Sequence, residues 1–283
     1  MSSPLHIAFI GYGEVGKRFA RDFLSAGVEA IVAYDILFDD PSLAAAKRAE
    51  AQVAGVRPAA SAADALRDAD VVFSAVTADA VAAVAREARS CTRPGQYFVD
   101  VNSAAPETKR AAAKELDAAG AHYIEAAVMA PIAPKGIATP ILAGGPQAAA
   151  AAALLNSLGM AIKPVAIEYG RASATKLSRS IMIKGIEALI VDCARAARAW
   201  DVQDDVFASL NDTFPGTDFA KLADMMAGRV RQHGIRRAAE MREAADMLDD
   251  LGVNADLARA VADAQERGAA INADKARGTK ATT

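Results

Sequence analysis

The sequence predicts an α/β fold: a doubly wound, mostly parallel sheet followed by an all-α C-terminal domain, the two joined by a long interdomain helix. Three observations carry this. Short β-rich runs alternate with Ala-rich helical stretches through the first half of the chain, which is the rhythm of consecutive βαβ units. From about Ser173 onward the strand signals vanish and one helical stretch follows another. Hydrophobic residues make up 53% of the chain but aromatics only 5%. The core is therefore built from Ala, Val, Leu and Ile, which suits helices packed closely on a parallel sheet.

Taken in order, strands are predicted at 7–10, 30–34, 71–75, 97–101 and 123–125. Helices are predicted at 15–25, closed by Gly27, at 42–54 and 78–90, and at 106–119, closed by Gly120. Residues 130–145, punctuated by Pro and Gly, read as sheet edge and loop, and Pro164 closes the last candidate strand. The helical half is broken by a Pro-Gly turn near 211–217, and the last dozen residues, ending Lys280 to Thr283, lack apolar periodicity and are expected to fray. The predicted domains are 1–165 and 166–283.

A chain of 283 residues suits two domains. With 32 basic and 35 acidic side chains the formal charge is −3, so nothing favours nucleic acid or an anionic membrane as partner. A small-molecule substrate fits better. Cys91 and Cys193 lie far apart with no CxxC or Cys/His cluster, which argues for neither a disulfide framework nor a metal site. The apolar run 5–10 has no basic n-region, and nowhere do 18 apolar residues follow one another. A cytoplasmic location is the expectation.

Gly11, Gly13 and Gly16 form G-x-G-x-x-G directly after the first predicted strand and before the first helix. In that setting the first glycine permits a tight turn, the second admits a pyrophosphate and the third lets helix approach sheet, as in a Rossmann-type dinucleotide site. The helix N-terminus then receives the pyrophosphate. Tyr12, Glu14 and Val15 complete the turn, and Val76, Thr77 and Asn102 are assigned to the same cofactor site. Asp35, about twenty residues further on, can accept hydrogen bonds from both ribose hydroxyls and would repel a 2′-phosphate. NAD is the preferred cofactor and NADP is possible.

Residues 174–200 are apolar on most sides, as in a helix at an interdomain interface. One polar stripe interrupts them. Lys176, Ser180, Lys184 and Glu187 recur at spacings of four, four and three, which puts them on one helical face with Arg179 at its margin. Buried cations need a partner or a wet cleft. An anionic substrate would supply the countercharge, a stripe of salt bridges with Glu187 would do so equally, and a lysine crowded by cations gains acid/base competence near neutral pH. The apolar remainder of the helix suggests a homodimer.

The segments GYGEVG at 11–16, DVNSAAP at 100–106, GRASATK at 170–176 and the helix beyond resemble the β-hydroxyacid dehydrogenase superfamily, which includes 3-hydroxyisobutyrate and 6-phosphogluconate dehydrogenases. The runs RSIMIKGIEAL at 179–189 and HGIRRAAEM at 233–241 resemble the branch whose C-terminal domain is a phosphogluconate-dehydrogenase-related domain of unknown function. The resemblance implies that Lys176 is the catalytic lysine of a G-x-G-x-x-x-K-x-x-x-N segment, assisting proton transfer at the substrate oxygen while hydride moves to or from nicotinamide. Here the final asparagine of that segment is Ser180.

Two departures bear on the substrate. Where the family has DAPVSGG, whose Ser-Gly-Gly cradles a carboxylate, this chain has EAAVMAP, with Met129, Ala130 and Pro131 in those places. Pro131 has no N–H and Met129 offers an apolar wall. The family's D-x-S-T segment reads Asp100-Val101-Asn102-Ser103 here, so the Asn102 amide stands where the first hydroxyl would be. Substrate contacts are therefore assigned to Ser103, Met129, Ser180, Lys184, His233 and Arg236, with Arg237 a further cation, although either arginine could instead pair with Glu240 or Glu243 on its own helix. The function expected is an oxidoreductase acting on a small, anionic hydroxy or oxo compound. Alternatives are a reductase of imines or activated double bonds and a non-catalytic dinucleotide sensor.

Overall fold

The structure, a computed structural model, describes residues 4–278. It has two compact units, Met1–Lys176 and Leu177–Thr283. In the first unit the elements run β1 (His6–Ile10), α1 (Glu14–Ser25), β2 (Ala30–Tyr34), α2 (Ala44–Val53), β3 (Arg57–Pro58), α3 (Ala62–Leu66), β4 (Val71–Ser74), α4 (Val81–Arg89), β5 (Tyr97–Asp100), α5 (Pro106–Ala118), β6 (His122–Val128), α6 (Ile132–Lys135), β7 (Pro140–Gly144), α7 (Ala148–Asn156) and β8 (Ala161–Ala166). Helix α8 (Arg171–Ala199) begins in this unit and continues into the next, where α9 (Gln203–Thr213), α10 (Phe219–Asp250) and α11 (Asp256–Gly278) follow. The predicted doubly wound sheet with an all-helical C-terminal part is what the structure contains.

Alternation along the strands decides how the sheet is covered. Ile7 and Phe9 of β1 enter one core and Ala8 and Ile10 the other, and β4 repeats this with Val71 and Phe73 against Val72. A strand buried on both faces needs that pattern. On one face Phe19 and Phe23, one turn apart on α1, close on Phe73 at ring-centroid distances of 5.9 and 5.4 Å. On the other, Ala65, Ala85, Ala88, Ala112 and Ala113 bring α3, α4 and α5 close to the sheet. Small side chains replace aromatic bulk there.

The strand order is β3-β2-β1-β4-β5-β6-β7-β8, all neighbours being parallel except β6 and β7. Strand β3 and helices α3, α6 and α7 are added to what the sequence predicts, while β7 lies in the stretch read as sheet edge and loop and β8 is the candidate strand that Pro164 was expected to close. Pro164 does not end its strand, because β8 is an edge strand and a missing N–H on the open side leaves no ladder bond unmade. The predicted helix over 78–90 begins with a 3₁₀ turn at Ala78–Ala80.

In the second unit Ile190, Ala194, Phe207, Ala223 and Met226 form the core among α8, α9 and α10. Helices α10 and α11 meet at Gly234, where a Cβ would fall 2.3 Å from the Gln265 carbonyl oxygen. The predicted break near 211–217 lies between α9 and α10, whose N-cap Asp218 accepts from the Lys221 N–H at 2.9 Å. The expected fraying of the residues up to Thr283 falls outside the described residues. No helix among the described residues is long and apolar enough to cross a membrane.

One charged cluster lies inside the first unit. Asp100, at the end of β5, and Lys109, on α5, are each 1% exposed and pair at 2.9 Å. The same carboxylate accepts from the Asn102 backbone N–H at 3.0 Å, from Asn102 Nδ2 at 2.6 Å and from the Tyr123 hydroxyl at 2.6 Å. Burial first, and the Asp100 charge second, push the Tyr123 phenol well above its usual range, so it stays a donor. Removing one member of a buried pair leaves the other uncompensated, at a cost of about 3–5 kcal/mol. Lys109→Met should therefore lower the thermal midpoint by roughly 10 °C, measured by circular dichroism; a midpoint within 2 °C of wild type, taking about 1 kcal/mol as the smallest readable change, would show that the pair does not hold this end of the sheet.

Candidate functional site

The strand order reverses between β1 and β4, and ligands of open α/β sheets bind in the crevice beyond such strand ends. The glycine-rich turn opens there. Gly11 has φ +91° and a Cβ on it would fall 2.3 Å from the Ala75 carbonyl oxygen, while one on Gly16 would fall 2.5 Å from the Gly11 oxygen. No side chain fits at either position. Around Gly13 the reverse holds, with nothing within 4 Å of its Cβ position, which is the space a phosphate needs to approach the backbone. Gly13 is also the N-cap of α1 and provides no side-chain cap, so the first N–H groups of a twelve-residue helix are left to an anion. Tyr12 is buried, Val15 half-buried and Glu14 exposed. These residues fit a dinucleotide pyrophosphate.

Asp35 follows β2 at the same edge. Its Oδ2 accepts from the Tyr12 N–H at 2.7 Å and its Oδ1 from the Leu37 N–H at 2.9 Å, so it ties the glycine turn to the 3₁₀ turn Ile36–Phe38. A carboxylate has about four acceptor positions, which leaves capacity for ribose hydroxyls. Nearby, Arg48 donates to the carbonyls of Phe38 and Ala59, both at 3.1 Å, and lies 5.3 Å over the Phe38 ring. Its guanidinium is committed to holding this turn.

Past β4, Val76 donates its N–H to Asn102 Oδ1 at 2.6 Å, while Asn102 Nδ2 donates to Ser74 Oγ and Asp100 Oδ1. Both amide hydrogens of Asn102 are thus held inside the protein. It acts as a strut between the ends of β4 and β5, shaping the crevice with its fold-facing atoms. Thr77 is exposed beside it. Ser103 Oγ is buried with no hydrogen-bond partner among the described residues.

Two further elements meet the sheet here. The Met129 N–H donates to the Pro140 oxygen at 2.9 Å, so it closes the β6–β7 pairing and is not offered to a carboxylate. At the start of α8, Glu125 of β6, 0% exposed, accepts from the Gly170 N–H at 2.6 Å and from the Ser173 N–H at 2.5 Å. Lys176 follows within a turn of that grip and is half-buried.

In the helical unit the polar stripe of α8 finds partners on α10. Ser180 Oγ donates to Glu240 Oε1 at 2.5 Å, and Lys184 Nζ pairs with Glu240 Oε2 at 3.2 Å. Burial pushes the Lys184 ammonium below its usual range, and the Glu240 charge opposes this. Arg237 pairs with the fully buried Glu187 across the helices. His233 is half-buried and Arg236 exposed. The charge of Lys184 is therefore neutralised by Glu240, and sequence reasoning had not assigned that carboxylate to it.

Glu125 and Lys109 also went unassigned. For Glu125 a signal existed, a single acidic residue inside the apolar run YIEAAVMA, where a charge must have a specific partner. For Lys109 there was none, because its spacing on α5 matches an exposed helical lysine.

Residues 6–166 match the family model described as the NAD binding domain of 6-phosphogluconate dehydrogenase, and residues 197–268 match a domain of unknown function, DUF1932. A conserved hypothetical protein from Sinorhizobium meliloti 1021 is 37% identical, with a TM-score of 0.80 over 95% of this chain and 90% of that one. The conserved protein MTH1747, of unknown function and described as structurally similar to 3-hydroxyacid dehydrogenases, is 31% identical, with a TM-score of 0.73 over 93% and 98% of the two chains. A 3-hydroxyisobutyrate dehydrogenase from Mycobacterium tuberculosis, solved with L-serine, shares the fold at 18% identity, with a TM-score of 0.75 over 94% of each chain. The chain belongs to the family that carries the NAD-binding domain of 6-phosphogluconate dehydrogenase, here on a 3-hydroxyacid dehydrogenase-like fold with the DUF1932 domain at its C-terminal end.

Proposed function

We propose that this protein is an NAD(P)-dependent oxidoreductase acting on a small hydroxy or oxo compound, with Lys176 as general acid/base. The observation that carries the reading is the turn at the β1/β4 reversal, where Gly13 is open, α1 begins without a side-chain cap and Asp35 stands at the end of the next strand. Nicotinamide, when bound, supplies the hydride chemistry. The chain's own residues bind and orient: the α1 N–H groups take the pyrophosphate, Asp35 takes the ribose hydroxyls, and Lys176 holds or releases the proton at the substrate oxygen.

NAD is favoured over NADP because the carboxylate of Asp35 would repel a 2′-phosphate and because Arg48 is bonded to Phe38 and Ala59. Two observations favour a second reading, a reductase of imines or activated double bonds. The Met129 N–H is committed to Pro140, and the Lys184 charge to Glu240, so two groups that would recognise a substrate carboxylate are already bonded. A small-molecule substrate, a homodimer and a cytoplasmic location complete the proposal.

Nicotinamide fluorescence should rise on titration with NADH at micromolar concentration and less with NADPH. Asp35→Ala should raise the dissociation constant for NADH about 10- to 100-fold, the loss of one or two hydrogen bonds to a charged group. If neither nucleotide binds wild-type protein at micromolar concentration, the proposal fails. Lys176→Met should reduce turnover by about 10²- to 10⁴-fold with NADH affinity unchanged; a sensor would instead bind NADH and turn over no hydroxy, oxo or imine compound even as wild type.

A further inference from the structure

The start of α8 is capped in an unusual way. An N-terminal capping box normally uses two local side chains, one accepting from the N–H three residues into the helix and the other reaching back to the N–H of the cap residue. Here the cap residue is Gly170, which has no side chain and φ +96°. A single carboxylate from the sheet performs both tasks: Glu125 takes the Gly170 N–H with Oε2 and the Ser173 N–H with Oε1. The two bonds are charge-assisted and lie where the helix dipole favours an anion. The surroundings make room for them, since a Cβ on Gly144, the register partner of Glu125 on β7, would fall 2.8 Å from Glu125 Oε2.

This cap fixes more than stability. Two bonds from a rigid strand to two points of the first turn set both the rotation and the axial position of α8, and Lys176 leaves the helix three residues after Ser173. We propose that Glu125 is the positioning residue for Lys176: its buried carboxylate fixes where the lysine side chain leaves the helix, and Gly144 is glycine so that the carboxylate can reach. The proposal rests on the catalytic reading of Lys176 given above. It does not require Glu125 to touch substrate or cofactor.

Glu125→Gln is nearly isosteric but turns one acceptor into a donor facing a backbone N–H, so the helix start must shift. A displacement near 1 Å at a reacting group costs about 10²-fold in rate. In Glu125→Gln, kcat should fall by about that factor, with KM and NADH affinity close to wild type. The second readout needs no substrate. In full-length protein carrying ¹³C-dimethylated lysines, the Lys176 resonance, identified by its loss in Lys176→Arg, should move in Glu125→Gln while the Lys17 and Lys47 resonances stay in place. Gly144→Ala, which pushes the carboxylate aside without changing charge, should move it too. Ser173→Ala, which removes only a hydroxyl bond to the Gly170 oxygen, should not.

A merely structural cap would lower the thermal midpoint and leave the resonance and kcat unchanged in folded protein, and that result overturns the proposal. Should Glu125→Gln not fold, an unmoved Lys176 resonance in Gly144→Ala does the same. Failure of the oxidoreductase reading looks different: wild type would bind no nucleotide, yet the Lys176 resonance would still follow Glu125.

Discussion

The fully buried carboxylate of Asp100 is the constraint on which the crevice end of the sheet depends. It sits at the last position of β5 and is surrounded by donors from three directions: the ammonium of Lys109, the backbone and side chain of Asn102, and the hydroxyl of Tyr123. A charge so placed is tolerable only when each lone pair is met. In meeting them, α5, β6 and the loop after β5 are drawn to one point. Asn102, held there, passes the constraint to β4 by accepting from Val76 and donating to Ser74. The walls of the crevice are set by this chain of bonds.

A second buried carboxylate lies beside the first. Asp100 and Glu125 are register partners on adjacent parallel strands, an arrangement that is destabilising for like charges unless each is compensated. The two solutions differ in kind. Asp100 is neutralised by a cation delivered by α5, whereas Glu125 is met by the N–H groups of a helix terminus. The same pair of charges thus anchors a covering helix on one side and the origin of α8 on the other, and the residue proposed to move the proton is carried by the second anchor.

The helical unit has its own internal polar network. Glu187 is fully buried and takes Arg237, with Arg229 at 3.7 Å, while Glu240 bridges Ser180 and Lys184. The polar stripe of α8 is therefore largely answered by α10 within the protein. Anion recognition by loose cations is not the character of this cluster. Its chemistry is that of a carboxylate holding a hydroxyl and an ammonium.

The sequence by itself determined the alternation of strands and helices, the glycine turn, Asp35 and the helical face bearing Lys176, because each rests on short-range rules: a period of two or of about 3.6 residues, a turn geometry, a backbone approach that only glycine permits. It could not determine what Lys109, Glu125 and Glu240 do. The partners of Glu125 and Glu240 lie far along the chain, 45 residues for the Glu125 bond to Gly170 and 60 for Ser180 to Glu240, and even Lys109, nine residues from Asp100, meets it only because α5 packs back on the end of β5. The edge strand β8 was expected to end too early for the same reason, since Pro164 is a strand residue only where no neighbour needs its N–H. Local pattern chose the elements; the charges buried between them, which must be paired wherever the fold puts them, were decided by tertiary structure alone.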